Sequence, residues 1–390
     1  MGQRGRILVA LIAAAFVAAG ASPAWANRIV EFEVPARDGE IDDRWYGYAG
    51  TPRARAILPD DYDRHRAYPV LYILAGLSNT YSWYTDPDKG NIGETVEGLD
   101  AIVVTPEGGT GGWYADWWNR GRRGDPAWES YFLDQVVPQI EARFKIRPER
   151  RYHALSGGSM GGLGAAYLGG RLPGYFGTVV ISSGFVDPQL YPGTNWGQSL
   201  ISGLGQTIDP ELVYGPLRGF YANGHNPVKL ASNLTQTRVF MSTGDGRPTD
   251  DDSGAASDQV LEIVFIKPMS DSYAVALRAA NVDLTYEVHP GRHDWANHRR
   301  QLAAAIDWGL FEKVPERPRS WVNDTVAQHG RLWQFGYRFD SPPDRVVRFE
   351  RKRNVLSVGA AGSPVTITTR RCRIHLETPG ELRVPKRRCA

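Results

Sequence analysis

Short apolar runs recur along this chain, separated by longer segments whose apolar positions fall three or four residues apart. Residues 70–74, 101–105, 152–155, 178–182, 238–243 and 284–288 each read as a buried strand. Strands of this kind alternating with helical segments predict a parallel sheet covered by helices. Two earlier segments, 29–34 and 53–58, alternate apolar with charged residues and read as antiparallel edge strands, which brings the count to eight. Helical spacing is present over 131–144, 160–172, 270–280 and 299–310. The expected architecture is the α/β-hydrolase fold: an eight-stranded, mostly parallel sheet with helices on both faces.

The pattern changes after Leu310. Val314-Pro315-Glu316-Arg317-Pro318 cannot continue a helix, so residues 313–319 read as a linker. Beyond it, 332–339, 345–351, 355–358, 365–369 and 374–376 are short, rich in β-formers and separated by Pro, Gly and Asn. They predict a small β-rich domain over 320–390, behind a catalytic domain over 27–312.

The amino terminus has a different character. Arg4 and Arg6 precede an apolar run over 7–19 and then Ala24-Trp25-Ala26, the small-x-small form of a signal-peptidase site. Residues 1–26 therefore read as a signal peptide cleaved after Ala26, and the run is too short for a membrane span. A secreted or cell-envelope protein is expected. Two cysteines, Cys372 and Cys389, are the default pair for a disulfide in an exported chain. The formal net charge is only +2, which gives no general pull toward nucleic acid. Residues 320–390 nevertheless hold 14 Lys/Arg against 6 Asp/Glu, a net +8 that could meet an anionic envelope or form a solvated face.

The most specific chemical signal is Gly157-Gly158-Ser159-Met160-Gly161-Gly162, set between a strand pattern and a run of small helix-forming residues. A nucleophile elbow turns so tightly from strand to helix that glycine is needed two residues before and two after the serine. Ser159 is the expected nucleophile. Its hydroxyl needs a base, and His293 lies in the loop after the last predicted strand, in His289-Pro290-Gly291-Arg292-His293-Asp294-Trp295. His289 reads as the strand end and His298 as helix surface. The three histidines lack the HExxH spacing and carboxylates of a zinc site, so neither metal nor cofactor is expected. Several acids precede His293: Asp245, Asp250, Asp251, Asp252, Asp258, Glu262 and Asp271. Position at a strand end favours Asp245 as the residue that orients the imidazole. Two N–H donors are required for the oxyanion, and Met160 with Leu77, in the loop after the third strand, are placed to supply them. Tyr81, Trp83, Tyr84, Trp113, Tyr114, Trp117 and Trp118 crowd the loops beside this site.

Over residues 65–310 the chain resembles the secreted mycolyltransferases of the antigen 85 type, within the esterase D-like α/β-hydrolases. The likeness rests on Pro69-Val70-Leu71-Tyr72-Ile73-Leu74 with Gly76-Leu77, Trp113-Tyr114-Ala115-Asp116-Trp117, the Ser159 elbow, Ser182-Ser183-Gly184-Phe185, Gly244-Asp245-Gly246-Arg247-Pro248, Leu261-Glu262 and Gly291-Arg292-His293-Asp294-Trp295. The resemblance implies Glu262 rather than Asp245 as the acid and the backbone amides of Leu77 and Met160 as the oxyanion hole. From the aromatic loops and the His293 loop, Trp117 and Trp295 are the expected substrate contacts. Ala75 and Ser78 replace the Asp and Arg that flank the Gly-Leu pair in trehalose-using members, and Asp294 replaces a more usual Ser. The expected activity is ester hydrolysis through an acyl-enzyme on an ester or acyl-lipid substrate. The alternatives are acyl transfer to a sugar or glycerol hydroxyl, and a non-catalytic envelope-binding protein on the same fold.

Overall fold

The computed structural model describes residues 28–41, 50–118, 126–190, 210–251 and 254–384. Residues 1–26, Asp252 and Cys389 lie outside the described residues, and with them the expected leader peptide and one half of the expected disulfide.

All eight expected strands form one sheet. They are β1 (Ile29–Glu33), β2 (Arg53–Ile57), β3 (Val70–Leu74), β4 (Ile102–Pro106), β5 (His153–Gly158), β6 (Thr178–Ser182), β7 (Arg238–Gly244) and β8 (Asp283–His289), in the order β1-β2-β4-β3-β5-β6-β7-β8. The strands from β4 to β8 run parallel, while β1 and β2 are antiparallel. Only β1 of the two expected edge strands is at an edge, because β2 is paired on both sides. Successive side chains on the central strands point to opposite faces, and the apolar runs therefore feed two cores. Val70, Tyr72 and Leu74 join one core with Val179, Ile181, Val239 and Met241, whereas Leu71, Ile73, Val180 and Phe240 join the other.

The helices that build these cores are α1 (Val137–Arg143), α2 (Met160–Arg171), α3 (Lys267–Ala279) and α4 (Trp295–Trp308). Both α1 and α3 begin directly after a π-helical segment, Phe132–Val136 and Leu261–Ile266, and both carry proline at their second residue, Pro138 and Pro268. Proline removes an i→i−4 donor and its ring crowds the preceding turn, which a locally widened helix accommodates. The helical run holding Glu262 therefore starts at Ala256, well before the expected 270.

The described part of the tail forms two four-stranded antiparallel sheets ordered β10-β11-β14-β15 and β16-β13-β12-β9, around one core that includes Trp321, Tyr337, Phe339 and Phe349. The strands are β9 (Ser320–Thr325), β10 (His329–Leu332), β11 (Phe335–Phe339), β12 (Val347–Lys352), β13 (Val355–Val358), β14 (Val365–Thr368), β15 (Arg373–Leu376) and β16 (Gly380–Arg383). The expected strand over 332–339 is instead part of a hairpin, broken at Trp333, whose φ is 58°.

Polar side chains fasten the tail to the large sheet's layer. Asn323 donates to Gly170 O at 2.7 Å, and Asn233 and Asp324 exchange two hydrogen bonds at 2.7 and 2.9 Å. Arg171, the last residue of α2, donates to Glu129 at 2.5 Å and to the Tyr337 hydroxyl at 3.1 Å, fully buried between the two parts. Arg150 bridges Gln236 O and Pro315 O while lying over the Trp333 ring. The tail thus grips the carboxyl end of the helix that Ser159 opens.

Candidate active site

Ser159 stands between β5 and α2 with φ 55° and ψ −120°. This conformation costs a residue with a Cβ about 1–3 kcal/mol and persists only where the surroundings fix it. Here Ser159 N–H donates to Ser182 O at 3.1 Å, and Ser159 O accepts from Leu163 and Phe185. A Cβ on Gly157 would come within 2.2 Å of Gly161 O, and one on Gly161 within 2.2 Å of Leu74 O. The glycines at both flanks of the elbow are therefore required by close backbone contact. The side chain of Ser159 remains partly exposed at the carboxyl ends of the parallel strands.

His293 follows β8, and its Nδ1 lies 2.8 Å from Glu262 Oε2. The other carboxylate oxygen, Oε1, accepts from Ser183 Oγ at 2.7 Å, Thr243 Oγ1 at 2.8 Å and Gly244 N at 2.6 Å. Glu262 is completely buried. Burial alone would favour its neutral form, but the hydrogen bond and charge of His293, followed by the Ser183 and Thr243 hydroxyls, outweigh it and hold the carboxyl below its ordinary range. A carboxylate held in this way fixes the imidazole and stabilises its protonated form.

Asp245 is engaged elsewhere. It accepts from Arg247 N at 2.9 Å and Arg247 Nε at 2.6 Å, an exposed pair that keeps its carboxyl low in spite of some desolvation. Asp258 caps its own helix by accepting from Ala255 N, and Asp271 pairs with Lys267.

The His293 loop is pinned at several points. His293 N–H donates to Asp258 O, Arg292 to Gly254 O, and Asp294 caps α4 by accepting from Asn297 N at 2.8 Å. The Asp that replaces Ser after His293 thus serves as a helix cap. His298, expected on the helix surface, faces inward: its ring would lie 3.1 Å from a Cβ on Gly158, and it meets the His293 ring edge to face at 5.2 Å. Burial, and next the neighbouring His293, push its pKa down to about 4, so it is neutral at ordinary pH. His289 ends β8, as expected.

No hydrogen bond joins Ser159 Oγ to the His293 ring in this structure. The two are connected through the backbone at the end of β6, where Ser182 holds Ser159 and Ser183 holds Glu262. Catalytic hydrogen bonds in unliganded enzymes commonly tighten only when substrate binds.

Leu77 N–H finds no acceptor among the described residues, and Met160 is the first residue of α2, whose N–H has no intrahelical partner. Both are free to donate to an anion. Trp117, expected beside the substrate, is a core residue instead, 6 % exposed with its indole N–H on Gly112 O at 3.1 Å. Trp295 packs edge-on to Tyr84 and, with Gly158 and His298, lines a small cavity behind the elbow. Ser183, Thr243 and Gln301 carried no assigned role in the sequence. The advance signals for Ser183 were its place at the end of the strand beside the one that leads into Ser159, and its presence in the Ser182-Ser183-Gly184-Phe185 segment of the family resemblance.

A family model described as "Putative esterase" matches residues 49–308. The chain belongs to the esterase family. Esterase Rv1288 of Mycobacterium tuberculosis is 28% identical over 301 residues, covering 74% of this chain and 61% of that protein. The diacylglycerol acyltransferase/mycolyltransferase Ag85A of Mycobacterium gordonae is 26% identical over 253 residues, covering 58% of this chain and 68% of that one. The crystal structure of Mycobacterium tuberculosis MPT51 has a similar fold, with a TM-score of 0.54 at 21% identity over 72% of this chain and 96% of that chain. This esterase-family chain thus has the α/β-hydrolase fold with an antiparallel β tail added to it, and its match spans 61% of the length of the esterase Rv1288.

Proposed function

We propose that this chain is a secreted serine carboxyl-ester hydrolase acting through an acyl-enzyme on Ser159. The observation that carries the reading is the buried Glu262 carboxylate, whose one oxygen is filled by three donors while the other is turned to His293 Nδ1. That arrangement leaves His293 Nε2 to take the proton from Ser159 Oγ as the hydroxyl attacks the ester carbonyl. Leu77 and Met160 N–H groups then meet the oxyanion, His293 returns the proton to the departing alcohol, and water activated by the same imidazole releases the acid.

Transfer of the acyl group to a sugar or glycerol hydroxyl is the second reading, favoured by the likeness to Ag85A. The two differ only in what deacylates Ser159. Product analysis with and without trehalose or glycerol separates them.

Ser159→Ala abolishes turnover of p-nitrophenyl esters and labelling by a fluorophosphonate probe if this reading holds. Retained turnover refutes Ser159 as nucleophile, and a wild-type chain inert to the probe favours a non-catalytic binding protein on the same fold.

The tail supports a role at an anionic envelope surface. Register places Arg338, Thr366 and His375 in one cross-strand row and Arg331, Gly336, Thr368 and Arg373 in the next, on the outer face of the β10-β11-β14-β15 sheet. The three arginines are exposed there. Among the described residues no helix is long and apolar enough to cross a membrane. Secretion by cleavage after Ala26 and a Cys372–Cys389 disulfide belong to the same proposal. Amino-terminal sequencing and a thiol count of the secreted protein test them.

A further inference from the structure

Gly76, Leu77, Ser78 and Asn79 form a tight turn after β3, closed by Asn79 N–H donating to Gly76 O at 3.2 Å. Ser78 occupies the third position with φ 64°, the left-handed value such a turn requires there. Its N–H donates to Thr110 O at 2.6 Å, so the turn is anchored to the loop after β4.

The fourth residue folds its side chain back over the first. A Cβ on Gly76 would stand 3.0 Å from Asn79 Nδ2, 3.5 Å from Gly158 O and 3.8 Å from Ser159 Cβ. The Asn79 amide and the Ser159 side chain are therefore neighbours of one point, kept open because residue 76 has no Cβ. Asn79 is partly exposed, and its side chain makes no hydrogen bond among the described residues. An anchored turn has thus placed an uncommitted N–H donor beside Ser159, in the same four-residue turn as the free Leu77 N–H.

We propose that Asn79 is a further catalytic residue, its side-chain amide donating to the oxyanion of the tetrahedral intermediate alongside Leu77 and Met160. The assignment rests on the Ser159 acyl-enzyme reading. A neutral amide suits the task, because it donates at every working pH and competes with neither His293 nor Glu262 for a proton. The carbonyl oxygen of a bound ester carries little charge, and it gains most of its charge as Ser159 attacks. The bond to Asn79 therefore strengthens on the way to the transition state, which lowers the barrier without tightening substrate binding.

The test compares wild type, Asn79→Ala and Asn79→Asp on p-nitrophenyl acetate, with inhibition by phenylboronic acid, whose adduct on a serine is tetrahedral and anionic. Removing one buried oxyanion donor typically costs 10²–10³ in kcat, and a partly exposed donor should cost about 10- to 100-fold. Asn79→Ala is expected to lose that much in kcat and a similar factor in boronate affinity, with KM within about two-fold and an unchanged Tm. Asn79→Asp should lose more, since it sets a negative charge against the oxyanion. Gly76→Ala intrudes on the amide, so its loss should be smaller in the Asn79→Ala background than alone.

Wild-type kcat in Asn79→Ala overturns the proposal. So does a loss confined to KM, or one matched by a fall in Tm without a change in boronate affinity. Failure of the underlying acyl-enzyme reading is seen separately, as ester turnover that survives Ser159→Ala.

Discussion

Ser183 donates its hydroxyl to Glu262 Oε1 at 2.7 Å from a backbone held at φ 43°, and it accepts in turn from Gln301 Nε2 at 2.8 Å. A left-handed serine in a buried strand end is uncommon and marks a position fixed by its surroundings. The bond belongs to a charged acceptor, where such interactions contribute about 1.5–3 kcal/mol. Ser183→Ala should therefore lower kcat about 10-fold or more by loosening Glu262 behind His293, with KM little changed. Steady-state kinetics on a short-chain ester check this, and an unaltered kcat would show that Thr243 and Gly244 suffice to hold the carboxylate.

The two acid candidates separate cleanly by substitution. Glu262→Gln keeps the shape but removes the charge opposite the imidazolium and can present the wrong tautomer of His293, so kcat should fall by roughly 10²–10⁴. Asp245→Asn breaks only an exposed pair with Arg247, and exposed pairs contribute about 0–1 kcal/mol. Activity within about three-fold of wild type is expected. A larger loss at Asp245 than at Glu262 would reverse the assignment.

How much of this was legible in the sequence follows from what each residue depends on. The eight strands could be read because their side chains alternate between two apolar cores, which leaves unbroken apolar runs such as Val70–Leu74. Ser159 could be read because close packing forces glycine around it. Glu262 could not be derived locally, since nothing in the pattern around it shows that a helix turns it inward, and Pro268 hid the start of that helix. The family resemblance was what pointed to it. Trp117 misled for the opposite reason: an aromatic residue in a loop beside the site reads as ligand-facing, but it is buried with its indole satisfied. β9 was missed because Asn323 and Asp324 look like loop residues. They are polar because they pair with Asn233 and Gly170 of the other part.

The junction between the two parts makes a stability prediction. Arg171 compensates the buried charge of Glu129, and replacing it with Met strands that carboxylate, at a cost of about 3–5 kcal/mol. Tyr337→Phe removes one hydrogen bond to the same guanidinium and should cost about 1 kcal/mol. Arg171 lies at the far end of a twelve-residue helix from Ser159, roughly 18 Å along its axis. Thermal unfolding should therefore shift in the order Arg171→Met, Tyr337→Phe, wild type, while turnover per folded molecule stays constant. A fall in turnover at full folding would mean that the tail acts on the catalytic centre through α2.

Beside this junction the carboxyls of half-buried Asp116 and buried Glu129 shift in opposite directions. Desolvation first, then the charge of Glu129, push Asp116 up to about 7, although Ser130 donates to it from both its hydroxyl and its N–H. For Glu129, desolvation is overcome by Arg171 and then His225, and its pKa falls to about 2. The raised group holds its proton more tightly when folded, so its contribution to stability is full below about pH 3.8 and is lost as pH rises through 7. The lowered group behaves in reverse, contributing fully above about pH 4.5 and losing that contribution as pH falls toward 2. Asp116→Asn still accepts from the Ser130 N–H, donates its amide to the Ser130 hydroxyl in place of accepting from it, and has no charge to bury. It should therefore raise Tm at pH 8, by at most about 2 °C per kcal/mol regained in a chain larger than 250 residues, and leave Tm near pH 4 almost unchanged. Melting curves across pH 4 to 8 decide the matter: an equal gain at every pH would point to better packing, and no gain at pH 8 would show that Asp116 is accommodated as a carboxylate by Ser130 alone.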